Sequence, residues 1–304
     1  MNMKLSLEAL EVLDAIDRKG SFGAAAESLF RVPSAITYAV RRLEEDLGVQ
    51  LFDRSGHRAG LTEAGAELLR EGRHLLRAAG ELESRVKRVA TGVETELGIA
   101  VDDLLDIAAL YPTLQQFYAQ GFGTRIRLLR EVYGGSWDAL TTGRADISIG
   151  AAGDGPSGGG YAMHMLGLHE FHFAVAAHHP LAALPEPLQN QDIQQYRSVS
   201  AADSSRNLPP RTSGILSGQD VLTVPDICSK LQAQISGLGV GYLPRQLAEK
   251  HAATGELVIK QVAEPKPEAT SYLAWRTQNG SKGGKAQQWL LKQLQKLTLD
   301  ALRM

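Results

Sequence analysis

Gly20-Ser21-Phe22-Gly23-Ala24-Ala25-Ala26-Glu27-Ser28-Leu29, followed by Pro33-Ser34-Ala35-Ile36-Thr37-Tyr38-Ala39-Val40-Arg41-Arg42-Leu43-Glu44-Glu45-Asp46-Leu47-Gly48, decides how the amino end folds. Upstream, Leu7, Leu10, Leu13 and Ile16 recur at helical spacing, and Gly20 ends that helix. Ser21 offers an N-cap oxygen to a second helix over about 23–30, whose alanines let another helix pack close. Residues 31–34 turn tightly, and Pro33 suits a first helical position because its missing donor has no partner there anyway. A third helix then runs over about 33–47 until Gly48. Its stripe Ile36, Val40, Leu43, Leu47 must face a core, which leaves Ser34, Thr37, Tyr38 and Arg41 on the opposite side near the helix start. Such side chains hydrogen-bond phosphates or base edges. Helix, small-residue helix, short turn and polar-tipped helix make a helix-turn-helix, whose second helix enters the major groove by its amino end.

Working outward, Leu51-Phe52-Asp53-Arg54-Ser55-Gly56-His57-Arg58-Ala59-Gly60-Leu61-Thr62 reads as two short strands around a glycine-containing loop. Arg54, His57 and Arg58 at its tip fit a wing against backbone phosphates or the minor groove; the competing reading is a solvated basic turn. From Thr62 to about Thr91 there is no proline. Leu61, Leu68, Leu75, Leu82 and Val89 recur every seventh residue, beside Gly65, Gly72, Ala79 and Val86. A sustained heptad stripe predicts a long linker helix packed on a partner helix, with the small residues allowing close approach. The alternative is a helix packed on its own chain. Two-fold pairing would set two recognition helices roughly 34 Å apart on one face of DNA.

From Glu96 the pattern becomes alternating strands and helices. Strands are expected at about 96–101, 124–131 and 146–149, with helices at 107–118 and 137–142, a βαβαβ unit with a mainly parallel sheet. A second lobe has expected strands at 171–176, 198–200 and 239–242 and helices at 225–236 and 244–251. A strand at 271–275 and a helix at 285–302 return to the first lobe. Two such lobes joined by two crossings form a cleft, where ligands commonly sit beside strand carboxyl ends. The run from Gly153 to Gly160 lacks the strand-glycine-helix setting and lysine of a phosphate loop, and reads as a connector.

Six stretches carry a family likeness. The run from Gly20 to Leu29, then Arg42-Leu43-Glu44-Glu45-Asp46-Leu47-Gly48-Val49-Gln50-Leu51-Phe52-Asp53-Arg54 and Leu61-Thr62-Glu63-Ala64-Gly65, resembles the amino-terminal signature of LysR-type transcriptional regulators. Gly143-Arg144-Ala145-Asp146-Ile147, His179-Pro180-Leu181-Ala182 and the segment from Gly237 to Pro244 are similar to stretches of that family's carboxy-terminal half. The sequence departs from the family's frequent Gln, Ser and Arg at Pro33, Thr37 and Tyr38, which leaves no basis for carrying over an operator sequence.

The resemblance implies an α/β chain with an all-α-dominated amino end: a winged helix-turn-helix (1–61), a linker and dimerisation helix (62–91) and a two-lobed, periplasmic-binding-protein-like (type 2) effector domain (92–304). The lobes are expected at 92–161 with 266–304, and at 162–265. It implies double-stranded DNA, a small-molecule effector and a second copy of the chain as partners, with a homotetramer built from two dimers and RNA polymerase as a further contact. By the same likeness the effector would meet Asp102 and Asp103 after the first strand, Ser136 and Trp137, Ser200 and Asp203, and Tyr242. Two carboxylates in a cleft repel a third by about 1–4 kcal/mol at 4 Å. The expectation is therefore a neutral, donating or cationic effector, unless Asp103 only caps the next helix.

Composition agrees with a water-soluble globular chain and narrows the alternatives. The 304 residues suit two or three domains, and 43% hydrophobic with 22% charged residues is ordinary for a globular chain. No segment reaches the length of a membrane span, and the start lacks a secretory signal, so the expected location is the cytoplasm. Net charge is −2, so DNA binding must rest on where the cations sit. The lone Cys228 rules out an internal disulfide and is expected to be buried. His164, His169, His172, His178 and His179 lack metal-site spacing, and the His178-His179 turn is expected at the surface. No cofactor is implied. A transport receptor would need export, and an enzyme would need a nucleophile or cofactor motif that is missing. A small-molecule-binding protein without a gene-regulatory role is the remaining alternative.

Overall fold

The computed structural model describes residues 4–53, 60–277 and 283–304. The chain divides into two compact units, Met1–Val86 and Lys87–Met304. The first holds helices α1 (Leu7–Lys19), α2 (Phe22–Ser28) and α3 (Pro33–Leu47), strands β1 (Phe52–Asp53) and β2 (Gly60–Leu61), and most of α4 (Glu63–Thr91). Local chemistry sets the helix ends. Ser6 and Ser21 accept the backbone N–H of Ala9 and Ala24, Gly20 and Gly48 take left-handed conformations at the stops, and Pro33 opens α3. Val12, Leu13, Ile16, Ala25, Ala26, Ile36, Val40, Leu43, Phe52 and Leu69 form the core. Leu47, expected in the buried stripe, is 38% exposed. The last turn of α3 is held instead by Glu44, whose Oε1 accepts the N–H of Leu51 (2.8 Å) and Phe52 (3.3 Å).

Helix α4 divides its heptad stripe between two tasks. A Cβ on Gly65 would collide with the Leu51 carbonyl, and one on Gly72 would lie 2.6 Å from Leu10 Cδ2. These glycines thus admit the helix to its own chain, where the expectation was a partner helix. Leu68 and Leu69 pack on the same core, and Arg73 bonds Asp14 and Asp17 at 2.7 and 2.8 Å. Farther along, Leu75, Leu82, Val86 and Val89 are 49, 55, 62 and 85% exposed.

The second unit contains β3 (Glu96–Asp102), α5 (Tyr111–Ala119), β4 (Arg125–Glu131), α6 (Gly135–Thr141), β5 (Ile147–Ala152), β6 (Tyr161–His169) and β7 (Phe171–Ala176). There follow α7 (Asn190–Gln194), β8 (Ser198–Ala201), β9 (Val221–Val224), α8 (Ile227–Ile235), β10 (Gly241–Pro244), α9 (Arg245–Ala253) and β11 (Leu257–Lys260). It closes with β12 (Ala269–Arg276), α10 (Lys285–Leu294) and α11 (Leu299–Leu302). One lobe carries a five-stranded sheet of order β4-β3-β5-β12-β6, parallel among the first three strands and antiparallel at β12 and β6. The other carries the antiparallel sheet β10-β7-β11 and the parallel pair β8-β9.

Four expectations change here. Strand β6, assigned by the sequence reading to the second lobe, pairs along β12 from Tyr161 to His169, so the first crossing falls at Glu170 and not near 161. The single helix expected over 285–302 is two, because Thr298 caps α11 by accepting the Ala301 N–H. Cys228 is exposed, whereas His179 is buried against Tyr196, ring centres 4.7 Å apart, and accepts the Leu181 N–H. Among the described residues no helix is long and apolar enough to cross a membrane.

Candidate nucleic-acid interface and effector cleft

In the first unit, α3 turns Ile36, Val40 and Leu43 inward and leaves Ser34, Thr37, Tyr38 and Arg41 exposed on one face. Thr37 Oγ1 donates back to the Pro33 carbonyl at 3.1 Å, which fixes its rotamer without hiding its oxygen. Arg41 pairs with Glu45 at 2.8 Å, but both side chains are well exposed. Such a pair contributes less than about 1 kcal/mol, so a phosphate can take the guanidinium. Arg54, His57 and Arg58 lie outside the described residues; strands β1 and β2 that flank them pair as Phe52 with Leu61 and Asp53 with Gly60. The sequence reading found the turn over 31–34 but not the apolar side chains exposed around it. Phe30 stands there 97% exposed at φ +55°, and Val32 is 63% exposed.

In the second unit a cavity of about 310 Å³ lies between the lobes where the crossings run. Its walls come from the ends of β3, β4, β5 and β8, from α8 and β10, and from both crossings. Of the expected effector residues, Asp102, Asp103 and Tyr242 line it. Ser136 is fully buried and reaches the cavity only through Asp102, donating to its Oδ2 at 3.3 Å. Trp137 is also fully buried; its Nε1 donates to the Ala152 carbonyl and its ring packs on Tyr161 at 5.0 Å, so it is a core residue. Ser200 is buried and bonds the Tyr133 hydroxyl. Asp203 is consumed by the loops around it, accepting from the N–H of Gly134, Ser205 and Arg211. These four sit behind the cavity wall because each satisfies a backbone or side-chain partner that the fold brings to it.

The two aspartates are not equivalent. Asp103 Oδ1 pairs with Arg130 at 3.1 Å, and its Oδ2 accepts the Ile227 N–H at the start of α8. Asp102 accepts the Leu104 N–H and, among the described residues, pairs with no cation; burial pushes it up to about 7. Around them the fold adds residues that the sequence reading did not find. Lys230, one turn into α8, is 4% exposed and faces the cavity; burial, then the nearby charge of Lys266, lowers it to about 7. Lys266, on the second crossing, sits 3.6 Å from the centre of the Phe171 ring and is lowered by burial to about 8. His169 is buried with Nε2 unpartnered, and burial lowers it to about 4, so it is neutral at ordinary pH. Tyr133 lines the same space at φ +51°, a strained conformation of the kind that collects at functional sites. Among the described residues no three His, Cys, Asp or Glu side chains are placed to hold a metal.

Comparison with known proteins places both units. Residues 7–66 match the model for bacterial regulatory helix-turn-helix proteins of the lysR family, and residues 90–298 match the LysR substrate binding domain. The uncharacterized HTH-type transcriptional regulator YeeY of Escherichia coli strain K12 is 43% identical over 276 residues, covering 91% of this chain and 89% of its own. The probable HTH-type transcriptional regulator YhaJ of the same strain is 40% identical over 307 residues, covering 96 and 97%. Full-length CbnR, solved with its target DNA, shares the fold at TM-score 0.56 and 17% identity, over 95% of this chain and 98% of CbnR. The chain belongs to the LysR family of DNA-binding transcriptional regulators with an effector-binding domain.

Proposed function

We propose that the protein regulates transcription by reading a specific operator through Ser34, Thr37, Tyr38 and Arg41, under the control of a small molecule in the cleft. The observation that carries this is the α3 face, polar and exposed opposite the buried Ile36, Val40 and Leu43. Arg54, His57 and Arg58 follow as phosphate contacts of a wing, and CbnR's complex with DNA supports the same use of this fold. The exposed half of the α4 stripe is the dimer seam, so the functional parts are a head (1–61), a linker (62–91) and a sensor (92–304). Pairing of two dimers as a tetramer, contact with RNA polymerase and a cytoplasmic location belong to the same reading.

An effector regulates only if it binds two arrangements of the lobes with different affinity. The cavity between them is where such a difference would arise, since closing the lobes changes its walls.

A gel shift on the promoter beside the gene, over a salt series, is the test. Arg41→Ala and Arg54→Ala are each expected to weaken binding about tenfold and to reduce the salt slope by about one. Unchanged affinity in both removes the assigned surface. On the same samples, Leu82→Glu with Val86→Glu is expected to give monomers in sedimentation. Persisting dimers would move the seam elsewhere.

A further inference from the structure

We propose that the cleft binds a small organic anion, its charged group seated by Lys230 of α8 and Lys266 of the second crossing. This rests on reading the cleft as the effector site, and it names the chemistry of that site.

The argument begins with what is left over when internal partners are assigned. Among the described residues, Lys230 Nζ forms no ion pair, and the one charge that shifts it is another cation, Lys266. A buried ammonium without a partner is costly, and both lysines open onto one cavity. The acidic side does not cancel them. Asp103 is committed to Arg130 and the Ile227 N–H, and Asp102 accepts the Leu104 N–H and the Ser136 hydroxyl. Arg211 adds a third cation to the wall, donating to the Ala152 carbonyl at 3.3 Å. The unpartnered Nε2 of His169 supplies one neutral polar contact for the ligand's body. Tyr133, Phe171 and Tyr242 give that body apolar and aromatic surface. About 310 Å³ is at the small end of known ligand sites, which suits a single ring or short chain. A cleft with anion-holding lysines reverses the expectation from sequence, where Asp102 and Asp103 alone set the sign.

The test is calorimetric titration of the full-length protein with three matched sets: benzoate, benzamide and benzylamine; hexanoate, hexanamide and hexylamine; and phenyl phosphate beside phenol. The anion of at least one set is expected to bind about tenfold or more tightly than its neutral and cationic partners. Lys230→Met and Lys266→Met should each weaken that anion about tenfold or more. Without ligand, Lys230→Met should raise the melting temperature by about 2–4 °C, because it removes an unpartnered buried charge. A drop in melting temperature, equal binding of amide or amine, unaltered anion affinity in both variants, or no anion binding at millimolar concentration overturns the proposal. Should Lys230→Met fail to fold, the half-buried Lys266→Met carries the affinity arm alone. Gel shifts on the same preparations separate the two readings: a bound anion that leaves operator binding unchanged upholds the anion site and sinks the regulatory role of the cleft.

Discussion

The face of α3 and the cleft assemble their residues in opposite ways. On α3 the presented side chains fall within residues 34–41, and helical periodicity alone puts them on one side. The cavity draws its wall from segments scattered between Asp102 and Ala269, and no stretch of sequence contains it. The first surface is solvated, so its ion pair Arg41–Glu45 is weak and replaceable. The second is dry enough for burial to move carboxylates up and lysines down. A local surface keeps its function when the fold loosens, whereas a non-local one depends on every contact that holds its segments in place.

The largest expected effect tests that dependence. Arg144 is 13% exposed at its side chain and joins Glu131, at the end of β4, to Asp138 of α6 at 3.0 Å; both acids are buried. Arg144→Met strands two buried carboxylates and is expected to destabilise the second unit by about 3–5 kcal/mol, read by urea unfolding. A loss under about 1 kcal/mol would show that the segments are held by something else. DNA affinity of the head should change far less.

A smaller effect concerns pH. Lys230 and Lys266, depressed to about 7 and 8, are charged below those values and lose their protons as pH rises through them. Anion affinity should fall about tenfold or more from pH 7 to pH 9. The other groups facing the lysines act with this trend or stay constant. Asp102 ionises above about 7, His169 is already neutral, Tyr133 and Tyr242 are raised further from ionisation, and Asp103 keeps its Arg130 pair in the wall that Arg211 also lines. For stability the sign is that of a depressed lysine: its contribution is full above the unfolded value and is lost as pH falls through about 7. The gain from Lys230→Met should therefore be larger at pH 6 than at pH 9, and a pH-independent gain contradicts the assignment. Operator binding by α3 should be flat over the same range.

The smallest effect sharpens the other side. Phe30 holds φ +55° in the turn before α3 and is almost fully exposed, so its side chain contributes little packing against that strain. Phe30→Gly is expected to stabilise the head by about 1 kcal/mol in thermal unfolding. A loss of stability would mean that the exposed ring has a contact that offsets the strain.

The head was legible because caps, stops and the 3.6-residue stripe are local, as Ser21, Pro33 and Gly48 show. Even there Leu47 and Gly72 were misread, since both hinge on which neighbour another segment delivers. In the sensor the alternation of elements was readable. The long strand β6 was not, because its exposed run from Met163 to Met165 gains its pairing only from β12, about a hundred residues away. Asp102, Asp103 and Tyr242, named from the family likeness, line the cavity.

Sequence alone determined the order of elements, the helix-turn-helix and the side of α3 that meets solvent, because each follows from spacing along one chain segment. Tertiary structure decided which half of α4 remains exposed, that Trp137 and Ser136 lie behind the cavity wall, and that Lys230 and Lys266 share the cavity, neither in an ion pair among the described residues. A buried charge takes its meaning from the partners that folding supplies or withholds, and those partners come from elsewhere in the chain.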